Sequence, residues 1–147
     1  MAVSRAMRRL LRVLLVQEEQ HRAALETALA ELRRLEGALA AAGEQERRGR
    51  QLVWSSAATG ELADRLAGLE ESHAARRHAA MLTPRIAESE ADVSQRRREF
   101  LLKRVERRKA ETVIEKTEAK DAVVEVRRGQ RGLDDWFLAR MRRDRDA

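Results

Sequence analysis

The sequence contains no cysteine, no tyrosine and only one proline among its 147 residues. Without cysteine there is no disulfide, no thiolate metal site and no cysteine nucleophile. Aromatic residues make up 3% of the chain, and the apolar fraction of 43% is rich in alanine, which buries little area per residue. These shortages argue against a multilayered globular core and favour long helices that share one narrow contact.

Metal sites and membrane spans are also not expected. The three histidines are His21, His73 and His78. Residues five apart on a helix point about 140° away from each other, so His73 and His78 do not form a zinc-binding pair. No segment approaches the roughly 20 apolar residues that cross a bilayer, and the apolar run 13–16 is too short for a signal peptide. We expect a soluble, cytoplasmic chain without metal or cofactor, whose first helix begins near a capping Ser4.

The motifs of common catalytic sites are absent. The sequence has no phosphate-binding glycine loop and no nucleophile elbow. Acidic pairs such as Glu70–Glu71 are expected on a charged helix as surface or capping groups. A pair of exposed helices also offers no dry, concave pocket. We therefore predict that the protein is not an enzyme and has no small-molecule substrate.

The residues that are abundant predict a coiled coil. Ala, Arg, Leu and Glu dominate, and charged residues reach 38%. A 3-4 spacing of apolar residues marks a heptad seam at Leu25, Ala28, Leu32, Leu35, Leu39 and Ala42. The seam extends back to Met7 through two polar positions, Glu18 and His21. The predicted fold class is all-α, a long antiparallel two-helix coiled-coil hairpin forming a single domain over 1–147.

Two positions compete for the reversal of the chain. The seam dissolves between about 43 and 60, and the cluster of serine and glycine at 55–60 resembles a turn. This interpretation gives a first arm over 4–53, a tip over 54–60 and a second arm over 61–143, kinked near Pro84. The alternative reversal lies at 82–84, where Thr83 is a good N-cap and Pro84 fits the first helical position.

The second arm carries a weaker apolar stripe and all of the net charge. Its stripe comprises Ile86, Val93 and Phe100, followed with polar gaps by Leu102, Val105, Val113, Val123 and Val126. The segments 1–95 and 132–147 are electrically balanced, whereas 96–131 holds 13 basic and 7 acidic residues. Such a basic helix is a solvated face, a surface for an acidic protein or ring lumen, or a nucleic-acid contact. The interleaved acids and the lack of tyrosine disfavour nucleic acid.

A motif near the C-terminus is more specific. It reads Glu125-Val-Arg-Arg-Gly-Gln-Arg-Gly-Leu-Asp-Asp-Trp136. It resembles the end of the flagellar export protein FliJ family, and the stalk proteins of injectisome secretion (the YscO group) are similar. The resemblance implies contact with a hexameric export ATPase through Arg127, Arg128, Gln130, Arg131, Leu133, Asp134, Asp135 and Trp136. The glycines at 129 and 132 depart from the family pattern, and each costs a helix about 1 kcal/mol, so we expect the end to fray or bend there.

A second match lies just past the reversal at 55–60, which the cluster of serine and glycine favours over 82–84. Leu62, Leu66, Leu69 and His73 have the 4-3-4 spacing of a stripe that FliJ-like proteins offer to the export gate protein. The alternative is structural, since the same residues could continue an a/d seam with the histidine at its edge.

The resemblance implies a central stalk of a flagellar or type III export apparatus. Its implied partners are the export ATPase ring, the export gate and export chaperones, at the cytoplasmic face of the inner membrane. Association with the membrane would then be peripheral. The rivals are a generic coiled-coil scaffold or homodimer, whose 25–42 seam pairs between chains, and a basic-helix protein associated with nucleic acid.

Overall fold

The computed structural model describes Val3 and residues 5–146, with side chains as far as Arg145. Within these residues the chain forms α1 (Arg5–Thr59) and α2 (Leu62–Asp146), which pack against each other as a helical hairpin without strands. The all-α fold class is thereby confirmed. The predicted N-cap at Ser4 lies outside the described residues. The chain divides into a tip unit, Gln20–Leu101, and a terminal unit, Met1–Glu19 with Leu102–Ala147.

The chain reverses at Gly60 and Glu61, immediately after α1 ends at Thr59. Gly60 has a φ of +74°, and its N–H donates to the carbonyl of Ser56 over 2.8 Å. This is the left-handed cap that glycine adopts at helix C-termini without the steric cost of a Cβ. Most of the predicted tip, 54–60, is therefore helical, and only its last residue belongs to the turn.

The serines that suggested a longer turn remain inside α1. The Ser55 hydroxyl donates to the carbonyl of Leu52 over 3.2 Å, and the Ser56 hydroxyl donates to that of Val53 over 2.8 Å. Serine hydroxyls satisfy themselves this way within a helix, although the same residues also favour turns. The composition of the segment therefore did not define where the helix ends.

The alternative reversal at 82–84 does not occur, because α2 runs through Pro84. The hydroxyl of Thr83 donates to the carbonyl of Ala79 over 3.0 Å, so Thr83 does not act as an N-cap. Proline removes one backbone donor from the helix but does not end it here.

The heptad seam predicted in the first arm is present in the tip unit. Ala28, Leu35 and Ala42 are buried, and the leucines between them are half-buried. The sequence suggested that the seam dissolves after residue 42, but in the structure it does not. It continues at the same seven-residue interval through the buried Gly49 and Ser56. The buried positions of α2 in this unit are Gly68, Ser72, Ala75, Leu82 and Val93.

Small residues let the two backbones touch near the tip. A Cβ added to Gly49 would lie 2.7 Å from the carbonyl oxygen of Gly68 and 2.8 Å from the backbone nitrogen of Ser72. A Cβ added to Gly68 would lie 2.6 Å from the carbonyl oxygen of Gly49. Such distances are far inside van der Waals contact, so neither position accepts a side chain without separating the helices.

The terminal unit packs differently, because no residue in its described part is fully buried. Most of the half-buried residues of α2 in this unit follow a 3-4 spacing that is largely polar, and Glu111 is half-buried as well; the series is Lys103, Arg107, Ala110, Ile114, Thr117 and Asp121. The apolar residues predicted to continue the stripe are not part of this series and are exposed, namely Leu102, Val105, Val113, Val123 and Val126. The prediction for this part of the second arm was therefore wrong.

Both polar positions of the predicted seam have partners on α2. In the terminal unit, Arg107 donates hydrogen bonds to Glu18 and to Glu111, and these bonds raise the pKa of the arginine, Glu18 having the larger effect. In the tip unit, His21 Nδ1 lies 3.6 Å from a carboxylate oxygen of Glu99. Pairing offsets the cost of taking these groups partly out of water.

The close approach predicts opposite effects for two glycine substitutions in α1. We expect Gly49→Ala to destabilise the protein by about 1–3 kcal/mol, because the new methyl group collides with the backbone of α2. Gly37→Ala is the matched control, since nothing lies within 4 Å of a Cβ there. It should stabilise the helix by up to about 1 kcal/mol. Urea unfolding followed by circular dichroism measures both, and a stabilising Gly49→Ala would contradict the packing.

Candidate functional site

The four residues of the predicted gate-binding stripe lie on an exposed face of α2. Leu62 is 68% exposed, and Leu66, Leu69 and His73 are exposed as well. The residues that enter the seam beside them are Gly68 and Ser72, at neighbouring positions of the helix. The alternative interpretation of the stripe as a continuing seam is therefore wrong. We call Leu62, Leu66, Leu69 and His73 the tip face.

A groove that both helices line adjoins the tip face. Trp54 from α1 and Leu69 and His73 from α2 contribute to its walls, and its volume is about 870 Å³. Trp54 is 82% exposed, the largest value among the bulky apolar side chains described. We call this the tip groove; its full lining is Glu44, Arg47, Arg48, Arg50, Gln51, Val53, Trp54, Leu69, Ser72, His73 and Arg76.

Arginines cluster beside the tip groove, and two of them share one carboxylate. Glu46 accepts a hydrogen bond from Arg76 Nε over 2.6 Å and another from Arg50, both at the same oxygen. These bonds, that from Arg76 having the larger effect, hold the pKa of Glu46 below its ordinary value. The contact to Arg76 joins the two helices, whereas Arg47 pairs with Glu44 within α1 over 2.5 Å.

The sequence did not single out the tip groove. Trp54 and Leu69 lie on different helices, and the reversal at Gly60 and Glu61 places them on the two walls of one groove. The signal that could have found it was an isolated tryptophan within a few residues of the turn, on a helix followed by its antiparallel partner.

The second candidate surface is the C-terminal part of α2. Every described residue from Ala122 to Arg145 is exposed, and the half-buried positions end at Asp121. We call residues 122–145 the single-helix segment. It holds all the predicted ATPase-binding residues, Arg127, Arg128, Gln130, Arg131, Leu133, Asp134, Asp135 and Trp136.

Several large apolar side chains of the single-helix segment contact water. Trp136 and Phe137 meet edge to face with ring centroids 5.2 Å apart. The guanidinium of Arg140 lies 5.3 Å from the Trp136 ring centroid, within cation–π range. The helix continues through Gly129 and Gly132 to Asp146, so it does not fray at these glycines.

Chemical and membrane features can be stated for the described residues only. Among them no group of three or more His, Asp or Glu side chains is placed to hold a metal ion. In the same part of the chain, neither helix has a segment apolar and long enough to cross a membrane.

The shared carboxylate predicts a pH-dependent effect. Because the folded-state pKa of Glu46 is lowered, its ion pairs stabilise the fold above the ordinary glutamate pKa of about 4.3 and are lost as pH falls through the folded value. We expect Glu46→Gln to lower the melting temperature at neutral pH, with a gap from the parent protein that closes in acid. Glu44→Gln, which breaks a pair within one helix, is the control. Equal, pH-independent shifts for both variants would contradict the prediction.

Comparison with known proteins gives no match: no protein-family model, no curated protein and no solved structure matches this chain. The resemblance to the FliJ family therefore rests on the residues of the tip face and of the single-helix segment.

Proposed function

We propose that this protein is the central stalk of a flagellar or type III protein export apparatus. The observation that carries the proposal is the single-helix segment, where every described residue of the motif that resembles the end of the FliJ family is exposed. A stalk inserted into a hexameric ATPase needs such a helix, because the ring subunits must surround it.

The chemistry of the single-helix segment fits a protein partner. Leu133, Trp136 and Phe137 are each more than half exposed, and apolar groups of that size favour burial at an interface. Basic residues outnumber acidic ones in the single-helix segment and in the part of α2 that precedes it. Positive charge of this kind would attract the acidic or polar lumen of an ATPase ring and orient the helix there without one tight contact.

The tip face is the proposed contact for the export gate. Its three leucines lie outside the seam, so they are free to meet a partner without unfolding the hairpin. In this proposal the protein works at the cytoplasmic face of the inner membrane, joined to it through the export apparatus, and export chaperones are further partners.

Packing of the seam supports the stalk over a generic scaffold. The scaffold alternative pairs the 25–42 seam between chains. In the structure Ala28, Leu35 and Ala42 of this seam are buried within a single chain, in a hairpin whose helices face each other. A partner chain would have to displace α2 to use the same residues.

The ion pairs of α2 favour a protein partner over nucleic acid. Binding to phosphates requires cations that can replace counterions. In the basic stretch, Arg107 bonds to Glu18 and Glu111, and Lys103 lies 3.1 Å from Glu106. Internal pairing of this kind lowers the number of cations available to a nucleic acid backbone.

Reversing the charges of the end motif tests the ATPase contact. We expect Arg127→Glu, Arg128→Glu and Arg131→Glu together to reduce stimulation of the export ATPase several-fold, because opposite charges steer and hold the stalk in the ring. The control reverses Arg33, Arg65 and Arg77, which are exposed and lie in the tip unit. ATP hydrolysis by the purified ATPase with each stalk variant is the measurement. Full stimulation by the end-motif variant would refute this role.

A single exposed leucine tests the gate contact. Leu62→Ser should weaken binding to the purified export gate protein by about fivefold, the effect of about 1 kcal/mol at an interface residue. Met81→Ser is the control, because Met81 is 64% exposed on the same helix but lies outside the tip face. Isothermal titration calorimetry measures both affinities, and circular dichroism verifies that helicity is unchanged. Equal losses for the two variants would contradict a specific tip face.

A further inference from the structure

The tip groove combines an exposed aromatic ring with an excess of positive charge. Four arginines line it, together with Trp54 and Leu69, and the carboxylates nearby are Glu44 in the lining and Glu46 beside it. The four guanidinium groups therefore outnumber these two carboxylates. Tryptophan and arginine are the residues most often found as energetic anchors of protein interfaces.

The arginines keep donors for a ligand even where they form ion pairs. Arg50 and Arg76 each use one nitrogen to reach the same oxygen of Glu46. A guanidinium carries five N–H donors in a planar fork that suits a carboxylate. Because the two arginines share one carboxylate oxygen, most of their N–H donors remain available to other acceptors.

We propose that the tip groove binds an acidic polypeptide segment, with an apolar side chain of that segment packed on Trp54 and its carboxylates paired with the groove arginines. This inference rests on the proposed function, because it assigns a ligand chemistry to the surface that adjoins the tip face. It extends the gate-binding stripe of α2 to a second wall supplied by α1. The proposed segment belongs to a partner protein. The groove is open, so an extended chain can lie across it.

Other occupants fit the groove less well. A second copy of this chain would bring the same excess of arginine to the contact, which like-charge repulsion opposes. Single-stranded nucleic acid binds by stacking successive bases on several aromatic rings, whereas Trp54 is the one aromatic residue in the lining.

Fluorescence of Trp54 provides a direct test on the full chain. The protein has two tryptophans, so Trp136→Phe leaves Trp54 as the sole reporter. The probe is a synthetic peptide of glutamate and leucine, with one control peptide in which serine replaces leucine and another in which lysine replaces glutamate. We expect saturable quenching or a spectral shift with the first peptide, weaker binding of the serine peptide, none of the lysine peptide, and loss of affinity as salt is added.

A matched pair of charge reversals locates the site. Arg47→Glu with Arg48→Glu alters the groove, and Arg33→Glu with Arg34→Glu is the control doublet on the same helix. Arg34 pairs with Glu31 three residues away just as Arg47 pairs with Glu44, so both doublets lose one comparable ion pair. The groove doublet should lower the peptide affinity about tenfold, as expected for opposite charges brought close, and the control doublet should leave it nearly unchanged. Trp54→Ala, followed by anisotropy of a labelled peptide, should also weaken binding.

The outcomes separate this inference from the proposed function. Binding of the lysine peptide, equal effects of the two doublets, or tighter binding of an oligothymidine than of the acidic peptide would overturn the acidic-segment proposal. Binding of the export gate protein that is unaffected by Trp54→Ala and by the groove doublet would also overturn it, while leaving the stalk function in place. Failure of the stalk function would instead appear as unchanged ATPase stimulation by the end-motif variant, and it would not alter the peptide result.

Discussion

The contact of Gly49 with Gly68 is the constraint on which the tip unit depends. Each glycine would place a Cβ within 2.8 Å of the opposite backbone, so the helices approach as closely as main-chain atoms permit. Small residues, namely Ser56, Ser72 and Ala75, are also buried at neighbouring positions of the seam. Because α1 and α2 lie so close together here, each helix covers only a narrow strip of the other's surface. Bulky side chains just outside that strip, such as Trp54, must therefore face water or a partner.

The two units achieve order by different interactions. The tip unit buries apolar and small residues, whereas in the terminal unit the half-buried Arg107 bonds to Glu18 on α1 and to Glu111 on its own helix. Exposed ion pairs contribute little to stability, and an isolated helix of two dozen residues is marginal in water. In the proposed function, the single-helix segment would therefore gain order from its partner. A surface that becomes ordered on binding suits a component that engages several subunits of a ring.

The sequence revealed those parts of the fold in which the packing residues are also hydrophobic. The seam from Leu25 to Ala42 was predicted, because leucine and alanine at 3-4 spacing are typical of a helix that buries one narrow face. Its continuation through Gly49 and Ser56 was missed. Glycine and serine are common both in turns and where two helix backbones touch, so the sequence alone does not distinguish the two. In the second arm, Val113 and Val123 suggested a stripe, but Arg107 and Thr117 face α1 instead. Hydrophobicity alone could not reveal a seam that ion pairs maintain.

The sites differ in how many helices form them, and this difference explains which of them was predicted. The tip face was predicted from its resemblance to a stripe of the FliJ family, and the structure places its four residues on an exposed part of one helix. The tip groove required knowledge of the turn. An α-helix rotates about 100° per residue, so the two-residue turn at Gly60 and Glu61 fixes which face of α2 meets α1. That register puts Leu69 and Trp54 on the walls of one groove and, between the same helices, brings Arg76 to Glu46. The glycine contact and the turn thus determine together both the stability of the hairpin and the chemistry of the surface that it presents.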